Sequence, residues 1–121
     1  MIQIKKVGID FSRTINEYPK TFSLLTQIFK KIGYEIYIIG GCSEVVEHKI
    51  ELVKTFCKEH NILYDVIDIH HHDVHSHRDK YKGKYCKANN IDVMLDDDDK
   101  PKGYLEDIER HSPDTIRIVV K

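Results

Sequence analysis

The chain has 121 residues, of which 40% are hydrophobic and 32% are charged, and its formal net charge is −1 at pH 7. This length predicts a single domain over residues 1–121, with a packed core but no room for a substantial accessory domain. A net charge this close to zero excludes a global attraction to nucleic acid or to an anionic membrane, although a local patch could still bind either. Nucleic acid is therefore not indicated as a partner.

The cysteine content and the apolar runs bear on location. The three cysteines, Cys42, Cys57 and Cys86, are odd in number and contain no C-x-x-C pair. This pattern favours buried, reduced thiols over a structural zinc site. The N-terminus has no long apolar segment of the secretory kind, and no run approaches the roughly 20 residues that span a bilayer. We therefore expect a cytoplasmic protein with no membrane partner.

In chain order, short apolar strands alternate with amphipathic helices. Strands are predicted at residues 2–9, 34–39, 62–67, 91–95 and 115–120, since each is rich in β-branched or aromatic residues. Helices are predicted from Pro19 to Gly33, from an N-cap at Ser43 to residues 59–61, around residues 81–88, and at residues 101–111. In the second helix, the predicted inward stripe is Val46, Ile50, Val53 and Cys57, helped by Val45, Leu52 and Phe56.

This alternation predicts an α/β fold, namely a doubly wound, Rossmann-like three-layer sandwich with a five-stranded, mainly parallel sheet. Open α/β sheets gather their sites at the carboxyl ends of the strands. Asp10 follows the first strand, and Asp96 to Asp99 follow the fourth. If both apolar runs are parallel strands of one sheet, the carboxylates lie side by side and need a cation, and hard oxygen ligands suit Mg²⁺. Asp98 and Asp99 are expected to belong only to a solvated turn.

Three segments, taken in order, resemble the motifs of the haloacid dehalogenase-like hydrolase superfamily. They are Val7-Gly8-Ile9-Asp10-Phe11-Ser12-Arg13-Thr14, then Ile36-Tyr37-Ile38-Ile39-Gly40-Gly41-Cys42-Ser43, and then Lys82 to Cys86 followed by Ile91-Asp92-Val93-Met94-Leu95-Asp96-Asp97. The resemblance covers nearly the whole chain, and it is strongest to small phosphatase- and nucleotidase-like members without a cap domain.

The resemblance implies a magnesium site and a nucleophile. Asp10 would be the nucleophile and a metal ligand, and Ser12 would offer its backbone carbonyl to the metal. Asp96 and Asp97 would match the fourth motif, and one of them would bind Mg²⁺ directly.

The other implied catalytic residues come from the first three motifs. Thr14 would match the closing threonine of the first motif. Ser43 would serve as the second-motif hydroxyl only if its loop curls back, because Gly40 stands at the expected position. The third-motif lysine would be Lys82, or Lys84 if the helix register slips.

Two further departures from the family pattern lie beside the nucleophile. Ser12 stands where family phosphatases usually have the aspartate that acts as general acid and base, and loss of such help costs about 10²–10⁴ in rate. Arg13 replaces the usual glycine and adds a cation. Some members of the superfamily lack the second aspartate, so this pattern is compatible with altered chemistry as well as with lost activity.

Two functions are therefore carried forward. The first is a magnesium-dependent phosphohydrolase that acts on a phosphomonoester through an aspartyl-phosphate at Asp10. The alternative is a weakly active or inactive relative that binds metal, phosphate or a protein partner. The loops at residues 11–18 and 68–79 are too short for a cap domain, so the site is expected to be open, with closure by a partner subunit in a homo-oligomer as one solution.

The histidine-rich stretch from His70 to His77 is the most unusual local composition. Its histidines can form a transition-metal site, contact a substrate phosphate from the active edge, or remain a solvated loop. The sequence favours the solvated loop.

Overall fold

The computed structural model describes residues 4–71 and 81–121. Within these ranges the strands are β1 (Lys6–Ile9), β2 (Glu35–Cys42), β3 (Val66–His71), β4 (Val93–Asp96) and β5 (Ile116–Val119). The helices are α1 (Pro19–Lys31), α2 (Val46–His60), α3 (Lys82–Asn89) and α4 (Tyr104–His111). The strands form one sheet in the order β3-β2-β1-β4-β5, and every neighbouring pair is parallel.

The predicted doubly wound α/β fold is confirmed. The chain winds outward from β1 to β2 and β3, and then returns to place β4 on the other side of β1. One buried cluster contains Phe22 of α1 and Val53 of α2, and the other contains Cys86 of α3 and Ile108 of α4. The helices therefore cover the sheet in two layers, and the winding reverses between β1 and β4, where sheets of this kind place their sites.

Gly8 in the middle of β1 allows close packing on the α3 and α4 side. A Cβ atom at this position would lie 2.7 Å from the sulfur of Met94 and 2.9 Å from Cδ1 of Ile39. A side chain here would displace β4 or its core, so glycine keeps β1 and β4 in the register that forms the site.

The third strand begins four residues later than predicted. Residues 62–65 precede β3, which begins at Val66. The carboxylate of Asp65 accepts a hydrogen bond from the Ile36 N–H at 2.7 Å and pairs with Lys30 at 2.7 Å, so Asp65 fixes the entry to the strand.

The region between β2 and α2 also differs from the prediction. β2 does not stop at Gly40 but continues to Cys42, because Gly40 and Gly41 pair with Ile69 and His70 of β3. Ser43 is not the N-cap of α2, which begins at Val46 after a residue with no capping side chain.

The predicted inward stripe of α2 is confirmed, but two of its expected supporting residues are exposed. Val53 and Cys57 are buried, and Val46, Ile50 and Phe56 pack against the same core. Val45 and Leu52 are 49% and 53% exposed, because they lie on the opposite side of the helix or just before it.

Among the described residues, no helix is long and apolar enough to cross a membrane.

Candidate metal and phosphate site

The site begins where β1 and β4 end side by side. Ile9 is in register with Leu95, and the Asp10 N–H donates to the Leu95 carbonyl oxygen at 2.9 Å. This pairing places Asp10 next to Asp96, the last residue of β4. Both residues are buried, and Asp96 is fully so.

Lys82, the first residue of α3, joins the two carboxylates. Its Nζ lies 2.9 Å from Asp10 Oδ1 and 2.5 Å from Asp96 Oδ2, and its side chain is only 2% exposed. The second oxygen of Asp96, Oδ1, accepts the Asp98 N–H at 2.9 Å. A buried lysine with two carboxylate partners satisfies the usual requirement that buried charges are paired.

The start of α3 is held close to α4 by Gly83. Its N–H donates to Asp107 Oδ2 at 2.8 Å, and a Cβ on Gly83 would collide with the Asp107 backbone carbonyl. Asp107 is itself buried. This close approach of α3 to α4 fixes where the Lys82 side chain enters the site.

Thr14 and Asp97 complete the polar cluster. The Thr14 hydroxyl lies 3.4 Å from Asp10 Oδ2 and 3.4 Å from Asp97 Oδ1, and Thr14 is fully buried. A hydroxyl has one proton to donate, so Thr14 satisfies only one of these carboxylates at a time. Asp97 therefore keeps acceptor capacity at the cavity.

The turn after Asp10 at Phe11–Ile15 has an unusual backbone. Ser12 is extended (φ −68°, ψ 132°), and Arg13 is left-handed with φ 58°. The Arg13 N–H donates to Asn16 Oδ1 at 2.7 Å, which holds the turn closed. Phe11, Thr14 and Ile15 point into the protein and are buried, whereas Ser12 and Arg13 are exposed and line the cavity.

The electrostatics of the cluster favour an added cation. Burial raises the pKa of Asp10 to about 7; the Lys82 ammonium opposes this shift and the Asp96 carboxylate adds to it. Burial alone lowers the pKa of Lys82, but Asp10 and Asp96 outweigh it and raise that pKa, so Lys82 stays protonated. One ammonium thus faces three carboxyl groups, and a further cation would favour the ionised form of Asp10.

The geometry fits a hard divalent ion. Asp10, Asp96 and Asp97 each offer a ligand atom, and these atoms lie within 4.8 Å of one another. Magnesium binds through one or two protein carboxylates and keeps several waters, which an open cavity admits. One or two of these three residues would bind the ion directly.

A cavity of about 310 Å³ opens above the cluster. Besides the predicted residues, Gly41, Tyr81, Lys100 and Tyr104 line it. Tyr81 and Tyr104 pack edge to face with ring centroids 5.1 Å apart, and Lys82 Nζ lies 4.3 Å from the Tyr104 ring centroid. No sequence motif marks these four residues as site residues, because only the loop geometry brings them together.

Two predicted catalytic residues lie elsewhere. Ser43 lines a separate hollow with Val45, His48 and Lys49, because β2 runs past Gly40 and carries Ser43 beyond the cavity. Lys84 is exposed and lines a third hollow with Tyr85, because it is two residues further along α3 than Lys82.

The residues of the acidic run Asp96 to Asp99 have three different roles. Asp96 and Asp97 belong to the acidic cluster with Asp10, as predicted. Asp98 is not merely solvated, since its Oδ2 accepts the Tyr104 N–H at 3.1 Å at the start of α4. Asp99 is exposed and pairs with Lys121 at 3.0 Å, which agrees with the predicted surface turn.

The histidine-rich stretch is only partly described. His70 and His71 end β3, and the His70 ring stacks on Tyr81 with centroids 4.3 Å apart. His70 Nε2 lies 3.3 Å from Asp68 Oδ1. His72, His75 and His77 lie outside the described residues, and so does Lys80. The transition-metal site, the phosphate contact and the solvated loop therefore stay predictions for this stretch.

The fold and the site together define an α/β protein with a buried, lysine-linked acidic cluster at the switch point of its sheet. No protein-family model and no curated protein matches the sequence. Two solved structures have the same overall arrangement. A chain of the Pnkp1/Rnl/Hen1 complex aligns with a TM-score of 0.64 and 15% identity, over 99% of this chain and 47% of that chain. The universal stress protein from Archaeoglobus fulgidus aligns with a TM-score of 0.52 and 9% identity, over 99% of this chain and 100% of its own.

At these identities the likeness concerns the fold alone. This chain spans about half the length of the chain in the Pnkp1/Rnl/Hen1 complex. The comparisons therefore support the Rossmann-like α/β architecture.

Proposed function

We propose that the protein is a magnesium-dependent phosphohydrolase of the haloacid dehalogenase type, which acts on a phosphomonoester through an aspartyl-phosphate at Asp10. The observation that carries the proposal is the buried Asp10–Lys82–Asp96 arrangement at the end of β1, with Asp97 beside it. The ordered sequence motifs support the same assignment.

The residues of the chain divide the work of the proposed reaction. A carboxylate oxygen of Asp10 attacks phosphorus, and the leaving oxygen departs with the bonding electrons; water then attacks phosphorus and restores the carboxylate. Lys82 fixes the Asp10 side chain at 2.9 Å and offsets its charge. Thr14 orients the second oxygen of Asp10. Bound Mg²⁺ would supply Lewis-acid stabilisation of the phosphoryl oxygens.

A chromogenic phosphomonoester, para-nitrophenyl phosphate, tests the proposal. With Mg²⁺ present, the wild-type protein should release phosphate, and the Asp10→Asn variant should not, because an amide cannot act as the nucleophile. Asp99→Asn is a matched control from the surface of the β4 loop and should keep wild-type turnover. Turnover that survives Asp10→Asn would refute the nucleophile assignment.

The second candidate is a binding module that retains the site without turnover. The observation in its favour is Ser12, whose hydroxyl lines the cavity and cannot replace a carboxylic acid near neutral pH. If neither the wild-type protein nor Asp10→Asn turns over substrate, while calorimetry detects Mg²⁺ binding to the wild type, the binding module is favoured. A partner subunit that covers the open cavity remains a prediction for either function.

A further inference from the structure

We infer that the phosphoryl donor is a phosphoanhydride, and that Arg13 and Lys100 bind the phosphate that leaves. This inference rests on the proposed route through Asp10 and replaces the phosphomonoester substrate by a donor with two linked phosphates. Three observations carry it: the backbone of Arg13, the ion pairing of the cavity cations, and the chemistry of Ser12.

Arg13 lines the cavity from a backbone conformation that disfavours it. Its φ of 58° is left-handed, which costs a residue other than glycine about 1–2 kcal/mol. Glycine adopts this conformation without that cost. Such local strain is concentrated at functional sites, and here the side chain that causes it is a cation next to the nucleophile.

Lys100 reaches the same cavity from the loop after β4. The Gly103 N–H donates to the Lys100 carbonyl oxygen at 2.8 Å, and the Leu105 N–H donates to the Asp98 carbonyl oxygen at 3.2 Å. These bonds fasten the loop to the start of α4 and keep Lys100 beside the cavity.

The cavity cations differ in what they are paired with. Lys82 is bonded to Asp10 and Asp96, so its charge is already matched. Across residues 4–71 and 81–121, neither Arg13 nor Lys100 has a carboxylate within ion-pair distance. Arginine binds phosphate in a bidentate manner, and lysine binds it as a point charge. The two loops thus place two cations without a carboxylate ion pair at the cavity that Asp10 also lines.

Ser12 favours a leaving group that needs no proton. An alkoxide must be protonated as its bond to phosphorus breaks, and the Ser12 hydroxyl is too weak an acid for this. A leaving phosphate has a second pKa of about 6, so it departs as an anion at neutral pH. In the first step the bond from phosphorus to the bridging oxygen breaks, the electron pair goes to the leaving phosphate, and the bond to Asp10 forms. In the second step water adds to phosphorus, Asp10 regains its carboxylate, and the extra proton goes to solvent.

Binding of imidodiphosphate, an analogue of two linked phosphates with a nitrogen bridge, tests the inference without turnover. By calorimetry with excess Mg²⁺, the wild type should bind it at least about tenfold more tightly than inorganic phosphate, since a charge-assisted contact contributes about tenfold or more. Arg13→Gln and Lys100→Gln should each weaken imidodiphosphate about tenfold and leave phosphate unchanged. Lys58→Gln, an exposed lysine on α2, should change neither.

A strain-relieving variant separates loss of binding from loss of folding. Arg13→Gly should be as stable as the wild type or more stable, because glycine accepts the left-handed backbone, and it should still lose affinity for imidodiphosphate. Equal wild-type affinity for phosphate and imidodiphosphate overturns the inference. Tight binding of imidodiphosphate that neither Arg13→Gln nor Lys100→Gln weakens also overturns it.

Substrate comparison distinguishes this inference from the proposed function. Wild-type turnover of pyrophosphate should exceed that of glycerol phosphate by about 10²-fold or more, the contribution of a general acid. Ser12→Asp should narrow the difference, and Ser12→Asn should not. Equal turnover of both substrates, lost in Asp10→Asn, would refute the phosphoanhydride donor and leave the proposed function standing. No turnover of any phosphate compound, including an aryl phosphate, would instead refute the proposed function.

Discussion

Replacement of Lys82 by methionine should destabilise the protein far more than the same replacement at Lys84. Lys82 Nζ contacts two buried carboxylates at 2.9 and 2.5 Å, and methionine would leave both of them without a cation. Breaking a buried ion pair costs about 3–5 kcal/mol. Domains have free energies of unfolding of about 5–15 kcal/mol, so the variant should still fold unless the wild type lies near the lower limit.

Urea unfolding with a chelator present measures this difference directly. Lys84 is exposed on the same helix, so Lys84→Met should stay within about 0.5 kcal/mol of the wild type. The loss in Lys82→Met should become smaller at acidic pH, because protonation of Asp10 removes one of the unpaired charges. Similar losses in the two variants, or a loss below about 1 kcal/mol in Lys82→Met, would contradict the assignment of Lys82 as the cation that links β1 to β4.

Three further predictions concern the surroundings of the site. First, without divalent ions the contribution of Asp10 to the free energy of unfolding should decrease as the pH rises from about 4 to about 7. Folding raises the pKa of Asp10 from 3.8 to about 7, so over this range the folded state keeps a proton that the unfolded state has lost. Chelated protein should show this slope in urea titrations, and Asp10→Asn should lack it. Second, Gly83→Ala should cost about 1–3 kcal/mol and weaken Mg²⁺ binding in calorimetry, because the added Cβ meets the backbone of Asp107 and moves α3; unchanged binding would show that this close approach does not position Lys82. Third, Asp65→Asn should cost about 1 kcal/mol in urea unfolding at pH 7, because it weakens the link between Lys30 and the start of β3; its effect should vanish at low pH, since the lowered pKa of Asp65 stabilises the folded state only above its titration range.

The fold and the acidic cluster could be predicted from the sequence because each depends on local patterns. An apolar run that ends on an aspartate marks a buried strand and the start of its loop, which located Asp10 and Asp96 correctly. Alternation with helices then fixed the parallel topology, since crossovers of this kind are right-handed and short. The acidic pair followed from the neighbouring positions of β1 and β4.

The remaining features depend on partners that are distant in sequence. Lys82 is 72 residues from Asp10, and α3 carries lysines on several sides, so its polarity pattern could not separate Lys82 from Lys84. In the same way, Ile62 and Leu63 resemble a strand start, but Ile62 is 3% exposed in the core while Leu63 is 42% exposed. Pairing with β2, rather than local composition, sets where β3 begins.

Detection of a phosphorylated Asp10 side chain tests the proposed aspartyl-phosphate route. Wild-type protein would be incubated with Mg²⁺ and acetyl phosphate, trapped with borohydride, digested, and analysed by peptide mass spectrometry, with Asp10→Asn and Asp99→Asn treated in parallel. Borohydride reduces an acyl phosphate on aspartate to homoserine and expels the phosphate, so we expect homoserine in place of Asp10 in the wild type and in Asp99→Asn, and no reduction product in Asp10→Asn. Release of phosphate from acetyl phosphate with no modification at Asp10, or a reduction product at another aspartate, would refute the aspartyl-phosphate at Asp10.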